Sequence, residues 1–363
     1  MPVPDVLAAT RSYEEWVDAS TPVTASGRAA RHRLMAKDPF AFLRGSYYRW
    51  AQCWAELAGP LADAVPVLAI GDAHVENFGT WRDAEGRLAW GVNDLDEADT
   101  LPWTVDPVRL LASVLLAART QRLGIGPAAA AAALLRGYSG ALAAGGDPVL
   151  LDGGTDDLRL GVGPAGAVEF WRRMDRLPAA CDVPAGVAGA LRAALPDGTR
   201  GVRLVSRVAG MGSRDHLRFV ALGTWSGGPV AREAKALSPP ATRWLRGDPP
   251  DVDAAGAGGR RLVGRIRHVP DPTLRIARGW VLRRLAPDCR RVELADLPAV
   301  RREKRLIRAM GRELANVHLA SVDAVELQAD FAARPDGWLL EAARSMGHAV
   351  RVDFAVFAAG RGR

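Results

Sequence analysis

Short apolar runs that end abruptly in clusters of polar residues dominate the first third of the chain. "PVLAIG" (66–71), in the apolar run from Val65 to Ile70, reads as a short buried strand, and "RLAWGV" (87–92) as another. Each stops at a polar cluster: "GDAHVENFG" (71–79) after the first and "NDLDEADT" (93–100) after the second. Before them, "KDPFAFLRGSYYRWAQCWAEL" (37–57) repeats apolar positions at helical spacing, with Asp38 as cap and Pro39 at the first helical position. After them, "DPVRLLASVLLAAR" (106–119) predicts a helix capped by Asp106 with Pro107 at its first position. Helix continues through "GPAAAAAALLRGYSGAL", and the Gly/Asp/Pro-rich stretch from Gly145 to Gly166 predicts a loop. Near residue 200 the period changes. "VRLVSRVAGMGSRDHLRFVALGTW" predicts two strands around a glycine turn, "GGPVAREAKALS" a third and "GWVLRRLA" (279–286) a fourth. "RGDPPDVDAAGAGGRR" between them predicts a flexible loop. Helix returns at "PAVRREKRLIRAMGRELANVHLAS", where Leu306, Ile307, Met310, Leu314 and Val317 share one face. Arg301, Arg305, Arg308 and Arg312 lie opposite, the pattern of a solvated face.

Composition narrows the class. A chain of 363 residues with 48% hydrophobic and 25% charged residues suits a globular protein of about two domains. No basic-then-apolar leader and no run long enough to span a bilayer is visible, and Cys53, Cys181 and Cys289 are too scattered for a disulfide or metal framework. A reducing cytoplasm is the expected setting. The net charge of +7 raises nucleic acid as a partner, but there is no lysine-rich tail and no aromatic-basic interleaving. The cations are nearly all arginine; lysine occurs only at 37, 235 and 304. Asparagine occurs only at 77, 93 and 316, and two of these three fall in the polar clusters. Residue types that a chain otherwise avoids mark positions where the common substitute fails.

The clusters carry a recognisable chemistry. Asp72 and Asn77 stand in D-x-x-x-x-N spacing, and Asp94 follows the next strand. Phosphoryl transfer needs a carboxylate to accept the attacking hydroxyl's proton, and an amide with a second carboxylate to hold Mg²⁺ against nucleotide phosphates. The three residues supply that set, mounted on strand ends. "GDAHVEN" resembles the G-D-x-H-x-x-N catalytic loop of small-molecule kinases such as the aminoglycoside and choline phosphotransferases. "VNDLDEA…VDPVRLLAS" is similar to their metal-binding Asp loop. Across most of its length the chain also resembles a bacterial family known only as domain of unknown function 2252, through "DPFAFLRGSYY", "GDAHVENFG", "NDLDEAD", "AGMGSRDHLRFVAL", "VAREAKALSPPA", "VLRRLAPD" and "GRELANVHLAS".

The kinase resemblance implies further parts. "AGMGS" (209–213) would be the glycine turn over the phosphates, with Gly210, Gly212 and Ser213 facing the anion; a lone G-x-G elsewhere is usually a tight hairpin. Lys235 would reach the α- and β-phosphates, and its survival in so arginine-rich a chain fits a site needing a compact ammonium. In protein kinases these parts precede the catalytic loop; here they follow it, so the resemblance implies a circularly permuted kinase-like fold. No glutamate lies between Lys235 and Trp280 to pair with the lysine, which leaves Glu233, Glu303 and Glu313 as alternatives. Asp96 and Glu97 are placed to share metal binding with Asp94. His74 is a second catalytic candidate or a histidine bonding the loop backbone; Glu76 is a crowded or solvated neighbour. Arg44 is placed to bridge the acidic loop or touch phosphate, and His318 reads as a core histidine. No Ser-His-Asp elbow, Cys-His pair or H-E-x-x-H motif occurs.

The expectation is therefore an α+β, two-lobe, kinase-like fold, circularly permuted. Residues 1–36 form an extension, 37–200 a helical catalytic lobe, 201–290 a β-rich nucleotide lobe and 291–363 returning helices. The expected activity is Mg²⁺-dependent transfer of the γ-phosphate of ATP or GTP to a small-molecule hydroxyl, with Asp72 and His74 catalytic. Asn77, Asp94 and Asp96 would hold the metal; Gly210, Gly212, Ser213 and Lys235 would hold the nucleotide. AMP transfer on the same fold, a non-catalytic nucleotide-binding scaffold, and nucleic-acid binding through the 300–320 helix stand as rivals.

Overall fold

The computed structural model describes residues 5–120, 123–152, 164–291 and 300–360. In chain order these hold α1 (Val6–Asp18), α2 (Ala25–Met35), α3 (Pro39–Gly45), α4 (Tyr47–Leu57), β1 (Pro66–Ala69), β2 (Phe78–Arg82), β3 (Leu88–Val92), β4 (Asp99–Pro102), α5 (Val105–Arg119), α6 (Pro127–Ala143) and β5 (Val149–Leu150). Then come α7 (Pro164–Asp175), α8 (Ala185–Ala193), β6 (Arg200–Ser206), β7 (Arg218–Trp225), β8 (Gly228–Ala236), α9 (Ala241–Leu245), α10 (Ala257–Leu262), β9 (Arg275–Ala277), β10 (Trp280–Leu285), α11 (Val300–His318), α12 (Ala324–Ala332) and α13 (Trp338–Ala359). The architecture is mixed α+β, and among the described residues no helix is long and apolar enough to cross a membrane.

One large core joins α1–α6 and α11–α13 with the small strands β1–β3. Its centre is the crossing of α6 and α11, which two glycines permit. A Cβ on Gly137 would lie 1.9 Å from the Arg308 carbonyl oxygen, and one on Gly311 would lie 2.1 Å from that of Leu134. The apolar face of α11 (Leu306, Ile307, Met310, Leu314, Val317) is buried as its spacing predicts. On the opposite face Arg308 is exposed and Arg312 is committed to Asp147 at 2.7 Å; the Arg301 side chain lies outside the described residues.

The second unit is an antiparallel sheet in the order β6-β7-β8-β10-β9. Alternation along the strands gives it two faces. Phe219, Ala221 and Ala234 meet α8 through Val187 and Leu191 on one face. Val220, Leu222, Ala231 and Leu285 meet α7 through Phe170, Trp171 and Met174 on the other. Both helices precede residue 200, so by packing the sheet's unit begins at α7, earlier than the composition change suggests.

Three expected elements differ. The 37–57 helix is two helices, because Ser46 leaves helical geometry at φ −131° and donates its hydroxyl to the Phe42 carbonyl at 2.7 Å. The expected flexible loop at 246–261 contains α10, anchored where Gly258 passes so close to Ala98 that a Cβ would lie 1.8 Å from its carbonyl oxygen. The first 36 residues are no appendage either: Val6, Tyr13, Val17 and Met35 are core, and Thr24 N–H donates to the Asp215 carbonyl at 2.9 Å. The expected loop at 145–166 lies partly outside the described residues, and its described part includes β5.

Gly137→Ala is expected to destabilise the fold by about 1–3 kcal/mol through overpacking, although alanine favours a helix interior by about 1 kcal/mol. Urea unfolding reads the change, and an unaltered or raised midpoint would show that the α6–α11 crossing can open.

Candidate active site

The polar loop after β1 is built by backbone geometry first. Gly71 has φ +76°, and a Cβ there would lie 2.5 Å from the Glu97 carbonyl oxygen. The N–H groups of Ile70 and Gly71 donate to the Asp106 carboxylate at 2.7 and 2.9 Å. Asp106 is therefore not the cap of α5: that helix starts at Val105, and the carboxylate in its first turn is spent on the polar loop after β1. His318, wholly buried, adds its Nε2 at 3.1 Å from Asp106 while its Nδ1 meets the Tyr138 hydroxyl at 2.8 Å. It is a core histidine with a job: it orients the carboxylate that orients the loop.

Asp72 lies in that loop with its side chain against Arg109, whose Nε donates to it at 2.8 Å. The Arg109 guanidinium is wholly buried, lies 4.9 and 5.0 Å from the Tyr47 and Trp50 ring centres, and also donates to the Leu43 carbonyl at 2.8 Å. Burial raises the Asp72 pKa to about 6, against the pull of Arg109 and with the help of neighbouring Asp94. A carboxylate so placed is ionised near neutrality yet basic enough to take a proton. His74 sits beside it, Nε2 to carboxylate oxygen 3.8 Å, too far for a hydrogen bond. Its Nδ1 accepts the Glu76 N–H at 3.2 Å. Burial, with Arg44, Arg109 and Arg291, holds its pKa well below the ordinary 6.5. His74 is thus a neutral ring supporting the loop and offering an Nε2 proton. Glu76 pairs with Arg44 at 2.5 Å, so Arg44 braces the loop.

Asn77 connects the two loops. Its Nδ2 donates to the carbonyls of Asp72 (2.9 Å) and Asp94 (3.2 Å), which fixes the amide, while the buried Oδ1 has no hydrogen-bond partner. An amide oxygen left bare in a 4% exposed side chain is costly unless something electropositive meets it. Asp94 stands opposite. Burial raises its pKa, but Lys235 and Arg283 outweigh that and hold the carboxyl well below the usual range. Lys235, on β8, places Nζ 3.0 Å from Asp94 and still closer to Asp96. The lysine's partner is therefore this carboxylate pair. Glu233 is engaged by arginines, Glu303 receives the Gly124 N–H at 2.9 Å, and Glu313 pairs with His268 at 2.7 Å. Asp96 is pushed up to about 7 by burial and by Asp94. Glu97, at about 8 through burial, accepts the Ala241 N–H at 2.7 Å.

Residues 207–217 link β6 to β7. Gly210 takes φ +86°, Gly212 lies over the Arg44 carbonyl, and the Ser213 hydroxyl accepts from Arg218 at 2.8 Å. With the two polar loops they line a cleft of about 850 Å³ between the sheet and the helical core. All the candidates but Lys235 line its wall, and Lys235 reaches it through Asp94 and Asp96.

The donor set suits a cation that keeps much of its own shell. Among the described residues no group of three His, Cys, Asp or Glu side chains is arranged to hold a metal. Mg²⁺ asks for less: one or two protein oxygens, with water and phosphate completing the octahedron. The Asn77 Oδ1 and the half-exposed Asp94 carboxylate fit that demand; Asp96 is more closely tied to the lysine.

Sequence reading passed over Arg109, Arg207, Arg218 and Arg283 because arginine is everywhere in this chain. One signal was present for Arg109: it is the one charge in the otherwise apolar stretch between Asp106 and Arg119.

Residues 26–154 match the family model described as "uncharacterized protein conserved in bacteria (DUF2252)". That stretch contains both polar loops and α5. No curated protein and no solved structure matches the chain.

The raised carboxyls set the pH response of the ligand-free protein. A group whose folded pKa is raised stabilises the fold below its unfolded value and loses that contribution as pH climbs through the folded value. For Glu97 the window runs from 4.5 to about 8. The depressed histidines His74 and His216 act oppositely, but only below their ordinary value of 6.5. Between pH 6.5 and 8 the melting temperature should therefore fall, and Glu97→Gln should flatten the slope. A parallel slope in the variant would show that Glu97 titrates normally.

Proposed function

We propose that the chain is a Mg²⁺- and nucleoside-triphosphate-dependent transferase that moves a phosphorus-containing group to the hydroxyl of a small acceptor. The first reading of the group is the γ-phosphoryl, making the protein a small-molecule kinase on a circularly permuted kinase-like fold. The observation that carries the proposal is the bare, buried Asn77 Oδ1 fixed between the backbones of Asp72 and Asp94. The order of parts supports it: two acidic loops on a helical core, faced across a cleft by a five-stranded sheet carrying a glycine loop and a buried lysine. The family match does not bear on activity.

Each residue has a task. Asp72 accepts the acceptor hydroxyl's proton, and Arg109 keeps that carboxylate in place and ionised near neutrality. Asn77 and Asp94 would hold Mg²⁺, which when bound neutralises phosphate charge and fixes the donor. Lys235 supplies a further positive charge beside Asp94, and the 210–213 turn covers the phosphates with backbone N–H groups. The cleft has room for a nucleotide and a compact acceptor.

A second reading, nucleotidyl transfer, is favoured by one observation, the arginines beside Lys235. In either case Mg²⁺ with a nucleoside triphosphate at about 100 times its dissociation constant should stabilise the protein by roughly 2.7 kcal/mol. Asp94→Ala should abolish that shift; no metal-dependent shift in the wild type would overturn the proposal. Asp72→Asn should keep the shift but lose about 10²–10⁴-fold in turnover. In the wild type kcat/KM should rise with pH through about 6 as Asp72 ionises; a pH-independent profile would remove Asp72 as the base.

A further inference from the structure

The sheet face above the cleft is divided. Its far half, Val220, Leu222, Ala231 and Leu285, is apolar and lies beneath Phe170, Trp171 and Met174 of α7. Its near half carries charge. Glu233, two residues before Lys235 on β8 and wholly buried, is met by Arg207, by Arg283 at 3.0 Å and by Arg218 at 3.5 Å. All three arginines line the cleft, whereas Glu233 does not. Three guanidiniums against one carboxylate leave the cluster cationic, and the buried Arg218 Nε has no acceptor. Arg283 also reaches the Asn93 Oδ1 at 3.3 Å, next to Asp94, so the cluster adjoins the acidic loop. Glu233 splays the guanidiniums as an anchor would, and they face a space that an anion can enter.

A purine and a polyphosphate make opposite demands on this surface. A base needs an apolar slot, and on this face α7 covers Val220, Leu222 and Ala231, so that only Phe170 and Leu285 bring apolar surface to the cleft, in the half away from Glu233. Laid on the near half it would desolvate guanidiniums without pairing them, a cost that burial of a flat ring does not offset. Phosphate oxygens, in contrast, satisfy such donors with charge-assisted hydrogen bonds. Resting on the nucleotide-dependent reading above, we propose that Arg207, Arg218 and Arg283 form a subsite for the two terminal phosphates of the donor, so that the α-phosphorus faces Asp72 and the transferred group is a nucleotidyl. The acceptor hydroxyl oxygen forms a bond to the α-phosphorus as the bond from that phosphorus to the bridging oxygen of the β-phosphate breaks. The electron pair leaves with pyrophosphate, whose charge the arginines hold, and the hydroxyl proton passes to the Asp72 carboxylate.

The test uses the full chain with Mg²⁺ and ATP labelled at the α- or the γ-phosphorus. Water or the protein itself serves as acceptor. The expected products are pyrophosphate and AMP, free or protein-bound. ADP with orthophosphate would overturn this inference while leaving the transferase reading intact. In parallel, Mg²⁺-pyrophosphate is titrated into the wild type and into Arg218→Gln and the less buried Arg207→Gln and Arg283→Gln. Loss of one charge-assisted contact should weaken pyrophosphate by about tenfold or more, with AMP binding unchanged. Failure of pyrophosphate to bind the wild type, or equal affinity in every folded variant, would overturn the subsite. Failure of every nucleotide to bind with Mg²⁺ would sink the transferase reading as well.

Discussion

A charge taken out of water must be met by another charge or by hydrogen bonds, and the cleft of this protein is organised by that requirement. Lys235 is the case on which the rest turns. Its ammonium, on the sheet, is compensated by Asp94 and Asp96, on the loop that follows β3 of the helical unit. Removing the two carboxylates would leave the buried ammonium uncompensated. The pair therefore fixes the sheet over the acidic loops, and the glycine loop between β6 and β7 comes with it.

The same rule repeats on a smaller scale around it. Arg109 is buried because Asp72 and the Leu43 carbonyl receive it, and Asp72 is held because Arg109 is there. Asp106 is buried without a cation because two backbone N–H groups and His318 satisfy it. Glu233 is buried inside three arginines. Against this background of satisfied groups, the bare Asn77 Oδ1 and the acceptor-less Arg218 Nε stand out. One asks for a cation and the other for an anion, and they lie on the two walls of one cleft. The metal nucleotide proposed as donor would present both.

The N-terminal helices belong to this arrangement as well. Thr24 N–H binds the Asp215 carbonyl, and Asp215 lies within 3.7 Å of Arg28 and 3.5 Å of Arg31. The far end of the glycine loop is thus tied to the helical core by residues that precede the first polar loop in sequence by some distance. Contacts between segments remote in the chain hold the sheet to the helical core at Lys235 and again at Asp215.

Local pattern was enough to read the strands that carry the acidic loops, the glycine turn, the paired strands after residue 200 and the buried face of α11, because each depends on periodicity within a few residues. It also singled out Asp72, Asn77, Asp94 and Lys235, since their residue types are scarce or clustered. What it could not decide were partnerships. Whether Asp106 caps a helix or holds a loop depends on Ile70 and Gly71, some 35 residues away, and the lysine's counter-charge comes from a loop about 140 residues earlier. Among 45 arginines, nothing local marks Arg218 or Arg283 as facing the cleft, and Arg109 stood out only by its place in an apolar stretch. Burial and charge pairing are properties of long-range packing, so the sequence by itself determined which polar groups cluster at the ends of which strands, and only the tertiary structure decided which of them face each other.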